Sequence, residues 1–129
     1  MTLSADAKEM IELISQRLDP LFVQHGYINK RRYSDPSVFS ETLGYEKGET
    51  ELRISLSLHP HDYPNGIDIR LIKKTPGNWE YSSFSDLITM LEKSNSFQKE
   101  NFQIEPRERF DMALSSMQTF CEKILEKIG

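Results

Sequence analysis

The stretch from Glu51 to Lys73 constrains the fold of this chain more than any other part of the sequence. Apolar side chains occupy alternate positions in two segments separated by a loop: Leu52, Ile54, Leu56 and Leu58, then Ile67, Ile69 and Leu71. Polar or charged side chains, among them Arg53 and Arg70, stand between them. Because successive side chains of a strand point to opposite faces, each segment has one apolar and one polar face. The pattern predicts antiparallel strands with one face covered and the other open.

Helical patterns lie on both sides of the predicted strands. Apolar side chains recur at three- and four-residue steps in residues 4–25 and again after Pro106, and a shorter helix of this kind begins near Ser83. Pro20 predicts either a kink in the first helix or a second short helix capped by Asp19. We therefore predict a single two-layer α+β domain over residues 1–129. An antiparallel meander of three to five strands, about residues 27–81, carries the N-terminal helix and two C-terminal helices on one face.

The strand predicted around residues 38–46 has two possible orientations, because the pattern alone does not decide which of its faces is buried. Its side chains alternate in two sets: Phe39, Glu41, Leu43 and Tyr45, then Val38, Ser40, Thr42 and Gly44. If the first set faces outward, Glu41 and Tyr45 join Arg53 and Arg70 on the open face. That face then combines aromatic and charged side chains, as recognition surfaces do. We take these four residues as a candidate binding surface.

The loop between the two regular strands has the least ordinary composition of the chain. His59, His61 and Asp62 fall within four residues and carry donor atoms that Zn²⁺ or another divalent ion accepts. Their spacing is not diagnostic, because a closed site needs a fourth ligand and only His25 remains among the histidines. The alternative is a polar hairpin loop stiffened by two prolines. We predict partner contacts at His59, His61, Asp62 and Tyr63, with the first three as metal ligands in a rival hypothesis.

A basic run from Lys30 to Arg32 lies between Tyr27 and Tyr33, which is the mixture of basic and aromatic residues found on RNA-binding surfaces. Basic residues also protect edge strands from aggregation. The formal net charge of the chain is −4, and affinity for phosphate comes largely from basic charge. We therefore favour a protected edge strand and do not expect a nucleic-acid partner.

The remaining features favour a protein without catalytic activity or cofactor. Cys121, the only cysteine, lies on the apolar stripe of the last helix and is expected to be a small buried hydrophobe. Asp6 and Lys8 interrupt any secretory signal, and no run reaches the ~20 apolar residues of a membrane span. We expect a soluble cytoplasmic monomer or homodimer. The chain contains no phosphate loop, Gly-x-Ser-x-Gly elbow, His-Glu-x-x-His or Cys-x-x-Cys motif.

Together these features predict a small acidic module that binds another protein. It would be an adaptor, a chaperone-like protein or an immunity-like protein. The order of elements and the acidic charge resemble those of type III secretion chaperones and toxin-neutralising immunity proteins. Secretion chaperones place a strand pair before the final helix, and residues 94–105 show no such pair, so the immunity proteins are the closer resemblance. The rival hypothesis is a metal- or small-molecule-binding protein, with or without enzymatic activity, centred on His59, His61 and Asp62.

Overall fold

The computed structural model describes residues 3–35, 37, 39–58, 66–91, 102–104 and 107–128. The elements follow one another as α1 (Leu3–Gln24), β1 (Ile28–Asp35), β2 (Ser40–Lys47), β3 (Thr50–Ser57), β4 (Gly66–Thr75), β5 (Asn78–Ser82), α2 (Phe84–Leu91) and α3 (Phe110–Ile128). A 3-10 turn, Arg107–Arg109, leads into α3. The strands form an antiparallel sheet in the order β1-β2-β3-β4-β5. The predicted α+β fold, a meander with one N-terminal and two C-terminal helices, is confirmed.

The register of the sheet assigns the side chains to its two faces. Tyr45 of β2 stands opposite Leu52 of β3, and Leu52 stands opposite Leu71 of β4. These three side chains are buried in one core that also contains the inner stripes of α1, α2 and α3. We call this side of the sheet the helix face. The other side, which carries Arg53 and Arg70, is the open face.

The prediction that Glu41 and Tyr45 belong to the open face is wrong. The bulge-free pairing of β2 with β3 puts both on the helix face, where Tyr45 is fully buried and Glu41 is 4% exposed. The physical reason is that Leu43 and Tyr45 share this face, and burying them outweighs the desolvation of one carboxylate. Glu41 accepts a hydrogen bond from the hydroxyl of Ser34. Phe39 also packs against the core.

The helix α1 is continuous through Pro20 and ends at Gln24, which excludes a second short helix beginning at Asp19. Gly26 then takes a positive φ of 85°, as its position after the helix predicts. The Tyr27 N–H donates to the Phe22 carbonyl at 2.9 Å and the Gly26 N–H donates to Val23 at 3.0 Å. This is the hydrogen-bond pattern of a Schellman cap, and it turns the chain from α1 into β1.

The helices α1 and α3 run in the same direction across the sheet. Arg17 of α1 donates to Gln118 of α3 at 3.2 Å, and Met10 and Phe110 line one groove nearer the N-terminal ends of the two helices. Two positive helix-dipole ends therefore lie side by side, and acidic residues in both first turns offset them. No helix of the described residues is long and apolar enough to cross a membrane.

Tyr45 connects α1 to the sheet. Its ring stacks on that of Phe22 with centroids 3.9 Å apart, and its hydroxyl donates a hydrogen bond to Asp19. Asp19 also accepts hydrogen bonds from Ser15 at 3.1 Å and from Asn29 of β1 at 3.3 Å. Burial, and then the hydrogen bond to Asp19, raise the pKa of Tyr45 well above its ordinary value. The phenol is therefore neutral in the folded protein at any pH at which an unfolded tyrosine begins to ionise.

We expect Tyr45→Phe to reduce the alkaline sensitivity of the protein. The unfolded chain releases the tyrosine proton above a pKa of about 10. The contribution of the raised Tyr45 pKa to folding stability is therefore complete below the pKa of the unfolded chain. It is lost as the pH rises through and beyond that pKa. At neutral pH the variant should lose about 1–2 kcal/mol, because Asp19 loses one hydrogen-bond donor. Denaturant titrations between neutral pH and about pH 11 measure both effects.

Tyr81→Phe is the matched control for this experiment, because the Tyr81 side chain is 64% exposed. Its stability should follow that of the unmodified protein at neutral pH and at alkaline pH. The same alkaline decline in the Tyr45 and Tyr81 variants would contradict the assignment.

Candidate functional site

A network of charged side chains lies on the open face of the sheet, and a fully buried carboxylate is at its centre. The side chain of Glu51 in β3 is 0% exposed, although α1, α2 and α3 all pack on the opposite face. Its carboxylate contacts Arg53 Nε at 3.0 Å and Lys74 Nζ at 3.0 Å, and it accepts a hydrogen bond from the Tyr33 hydroxyl at 3.3 Å. Lys74 Nζ also lies 3.1 Å from Glu46. We call these five residues the Glu51 network.

The sheet register explains why this cluster needs its lysine. Glu46 of β2 stands directly opposite Glu51 of β3, and like charges in that position repel each other. Lys74 bridges the two carboxylates. Burial lowers the pKa of Lys74, but the hydrogen bonds to Glu51 and Glu46 more than offset it, so the pKa is raised overall. The ammonium is thus charged at neutral pH and is not available as a base or nucleophile.

A glycine in β2 gives Tyr33 its access to this network. Tyr33 belongs to the edge strand β1, yet its hydroxyl lies 3.2 Å from Arg53 Nη2 in β3, and its ring centroid is 4.7 Å from the Arg53 guanidinium carbon. The side chain must therefore cross β2. Gly44 is buried and directly opposite Arg53, so the strand has no side chain at the crossing. Glycine inside a strand often marks such a close approach.

The strand β5 adds aromatic rings to the open face. Trp79 stands opposite Lys74, and Tyr81 stands opposite Ile72. Lys74 Nζ lies 5.3 Å from the centroid of the Trp79 ring, and Ile72 is only 1% exposed although it faces away from the helices. The two rings remain 53% and 64% exposed. They thus form an apolar surface at the edge of the Glu51 network that is available for contact.

The structure brings the predicted residues Arg53 and Arg70 together as opposite neighbours on β3 and β4. Their surroundings differ. Arg53 belongs to the Glu51 network and its side chain is 30% exposed, whereas Arg70 is 63% exposed and pairs weakly with Asp68 at 3.8 Å. Arg53 is therefore held within the Glu51 network, whereas most of the Arg70 side chain is exposed to solvent.

Trp79, Tyr81 and, apart from Arg53, the members of the Glu51 network are not among the binding residues predicted from the sequence. The tight turn at residues 75–78, whose sequence is Thr-Pro-Gly-Asn, pairs Lys74 with Trp79. Extending the alternation of β4 through this turn would have placed Trp79 and Tyr81 on the open face. The burial of Glu51 has no such signal, because it depends on side chains from three other strands of the sheet.

The remaining predicted binding residues belong to the loop between β3 and β4. His59, His61, Asp62 and Tyr63 lie outside the described residues, so partner contacts and metal binding at this loop stay predictions. Within the described part of the chain, no group of three or more His, Cys, Asp or Glu side chains could hold a metal ion.

Arg32 of the basic run and Cys121 lie away from the open face. Arg32 pairs with Glu12 of α1 at 2.5 Å, and Tyr27 is buried. The two side chains therefore belong to the helix side of the sheet, not to an RNA-binding surface with Tyr33. Cys121 is buried in the core as predicted, and burial raises the pKa of its thiol.

No protein-family model, no curated protein and no solved structure matches this chain at a significant level.

We expect Glu51→Gln to lower the free energy of unfolding by about 3 kcal/mol, because it leaves Arg53 and Lys74 short of a buried counter-charge. Glu46→Gln is the matched control. It removes the other carboxylate that contacts Lys74, but Glu46 is 18% exposed, so a loss of about 1 kcal/mol is expected. Denaturant unfolding of the three proteins measures the difference. Equal losses in the two variants would contradict a special role for Glu51.

We expect Gly44→Val to displace Tyr33 from the Glu51 network. Overpacking of this kind costs about 1–3 kcal/mol. In a Tyr33→Ala background the same substitution should cost less than half as much, because the crossing side chain is gone. A double-mutant cycle by denaturant unfolding measures the coupling. Ser40→Val is the control and should show little coupling, because Ser40 lies on the same face of β2 but pairs with Asp35, on the far side of Thr42 from Gly44. An additive cycle at Gly44 would contradict the proposed crossing.

Proposed function

We propose that this protein is a non-catalytic protein-binding module, of the adaptor, chaperone-like or immunity-like kind, that holds its partner on the open face of the sheet. The observation that carries the proposal is the pair of exposed aromatic side chains, Trp79 and Tyr81, beside the buried Glu51 network. Tryptophan, tyrosine and arginine are the residues most enriched among the energetic anchors of protein interfaces. Here Arg70 supplies an exposed arginine on the same face.

The setting of these side chains favours binding, because the anchor region is largely ordered before a partner arrives. Trp79 is held against Lys74, whose ammonium is fixed by two carboxylates, and Tyr33 is held by Arg53 and Glu51. Side chains that are already ordered lose less conformational entropy on association. A surface of this kind therefore retains more of its contact energy as affinity.

The charge balance of the face favours a protein over a nucleic acid. Within the Glu51 network the charges of Arg53 and Lys74 are matched by those of Glu46 and Glu51, and Asp68 accompanies Arg70. Binding of a phosphate backbone depends on basic charge that is free to replace counterions. Among the side chains that the structure describes, the open face has little such charge, and the chain as a whole carries −4.

The proposal is tested by affinity capture with the full chain immobilised, from an extract of the source cells, followed by calorimetric titration of the purified dominant partner. We expect Trp79→Ala and Tyr81→Ala each to weaken binding about 30-fold, which is the loss of about 2 kcal/mol typical of an interface anchor. Arg70→Glu should also weaken binding. Arg53 is left unchanged, because its replacement would disturb the Glu51 network and confuse folding with binding.

Val23→Ala and Met112→Ala are the matched controls, since both remove an exposed apolar side chain, 65% and 57% exposed, from a helix instead of the sheet. They should bind as the unmodified protein does. Capture that survives the loss of both aromatic rings would overturn the assignment of the open face. Recovery of RNA in place of a protein, with binding that falls steeply as salt is raised, would overturn the partner class.

A further inference from the structure

We propose that the outer edge of β5 accepts an extended segment of the partner as an additional antiparallel strand, with a basic residue opposite Glu80 and apolar residues opposite Trp79 and Tyr81. The inference deepens the proposed function and rests on it, because it names how a protein partner is held. Strand addition of this kind takes its affinity from main-chain hydrogen bonds and its selectivity from alternate side chains.

The edge of β5 has the properties that strand addition requires. β5 is the last strand of the sheet, and its pairing with β4 runs from Asn78 to Ser82 without a bulge. Four of its five residues are exposed and the fifth is intermediate. An edge strand presents a row of unpaired N–H and C=O groups, which is a template for another chain. Within the described part of the protein, no strand pairs with this side of β5.

The opposite edge of the sheet is protected, which makes the two edges unequal. The pairing of β1 with β2 is shifted between Asn29 and Arg31, so β1 contains a bulge. Its sequence carries Lys30, Arg31 and Arg32, and Arg32 is tied back to Glu12 of α1. Bulges and basic residues are the usual devices against edge-to-edge pairing. β5 has neither device, and it carries two exposed aromatic side chains instead.

The two faces of β5 define the chemistry of the incoming strand. Glu80 lies on the helix face, opposite Lys73 of β4, while Trp79 and Tyr81 lie on the open face. Opposite Glu80, at the outer edge of β5, a lysine or arginine of the incoming strand is favoured, because opposite charges attract across strands. Residues opposite the two rings are favoured if they are β-branched or aromatic. The complementary segment is therefore apolar, basic and apolar in alternation.

A second copy of this chain fits the edge poorly. In antiparallel pairing of β5 with itself, the register that uses all five residues places Trp79 opposite Tyr81 and Glu80 opposite Glu80. Like charges directly opposite each other are destabilising. Registers that keep the faces aligned and avoid this contact pair at most three residues of the strand. The charge of Glu80 thus selects a basic partner strand over self-association.

The test titrates the full ¹⁵N-labelled chain with a capped heptapeptide, Thr-Thr-Val-Lys-Val-Thr-Thr. Binding is measured from the shifts of the backbone amide signals of the protein. We expect shifts along β5 with a dissociation constant of about 1 mM, which is within reach of this measurement. The matched peptide with glutamate in place of lysine should bind about fivefold more weakly. Glu80→Lys should reverse this preference, so that the glutamate peptide becomes the better ligand.

Backbone methylation separates strand addition from docking on the face of the sheet. Only alternate peptide nitrogens of an added strand donate to β5. Methylating one alternate set should abolish binding, and methylating the other set should change it less than twofold. Three results would each overturn strand addition. They are equal binding of both methylated peptides and the unmethylated one, an absence of shifts at several times the expected dissociation constant, and a peptide preference that Glu80→Lys leaves unchanged.

The proposed function and this inference fail in different ways. If the peptide result is negative while capture of the partner still depends on Trp79 and Tyr81, the open face binds its partner but the β5 edge does not. If partner capture ignores both rings, the proposed function fails whatever the peptides do. Sedimentation of the chain alone gives a third outcome, since a dimer whose β5 amides are protected from exchange would overturn the assignment to a partner protein.

Discussion

The unbroken register of β3 with both of its neighbours is the constraint on which the rest of this structure depends. β3 pairs with β2 and with β4 over its whole length without a bulge. A slip of one residue in either pairing would move every side chain to the other face. Leu52, Ile54 and Leu56 would then leave the core that the three helices cover. The packing of the helices and the composition of the open face are therefore fixed by the same hydrogen-bond ladder.

The Glu51 network strengthens this constraint from the opposite side. A one-residue slip would carry Glu51 from its partners Arg53 and Lys74 into the apolar core, where an unpaired charge costs several kcal/mol. A buried ion pair adds little net stability compared with apolar residues of the same volume. What it adds is a penalty for the wrong register. On this view the apolar face favours the correct pairing and the charged face disfavours its alternatives.

The parts of the fold that depend on one segment could be predicted from the sequence, and the parts that depend on several could not. The alternation in β3 and β4 predicts their buried faces correctly, and α2 begins next to Ser83 as its pattern predicts. Ser83 and Asp86 exchange capping hydrogen bonds there at 3.2 and 2.9 Å. The pattern of β2 alone does not decide its orientation, because Glu41 interrupts the apolar side chains on one of its faces. Its burial is tolerated where Ser34 of the neighbouring strand donates to it, a pairing that only the register reveals.

The distribution of polarity on the open face explains how a sheet can expose aromatic rings without becoming a general apolar surface. Large exposed apolar patches are aggregation liabilities unless they are bounded by polar groups. If Glu51 and Lys74 were replaced by leucine, Ile72, Trp79 and Tyr81 would join one continuous apolar area around a strand edge that is already exposed. The charged network confines that area to two rings at β5 and holds one of them in place. A buried charge on the open face thus limits the exposed apolar area even where it contributes little to stability.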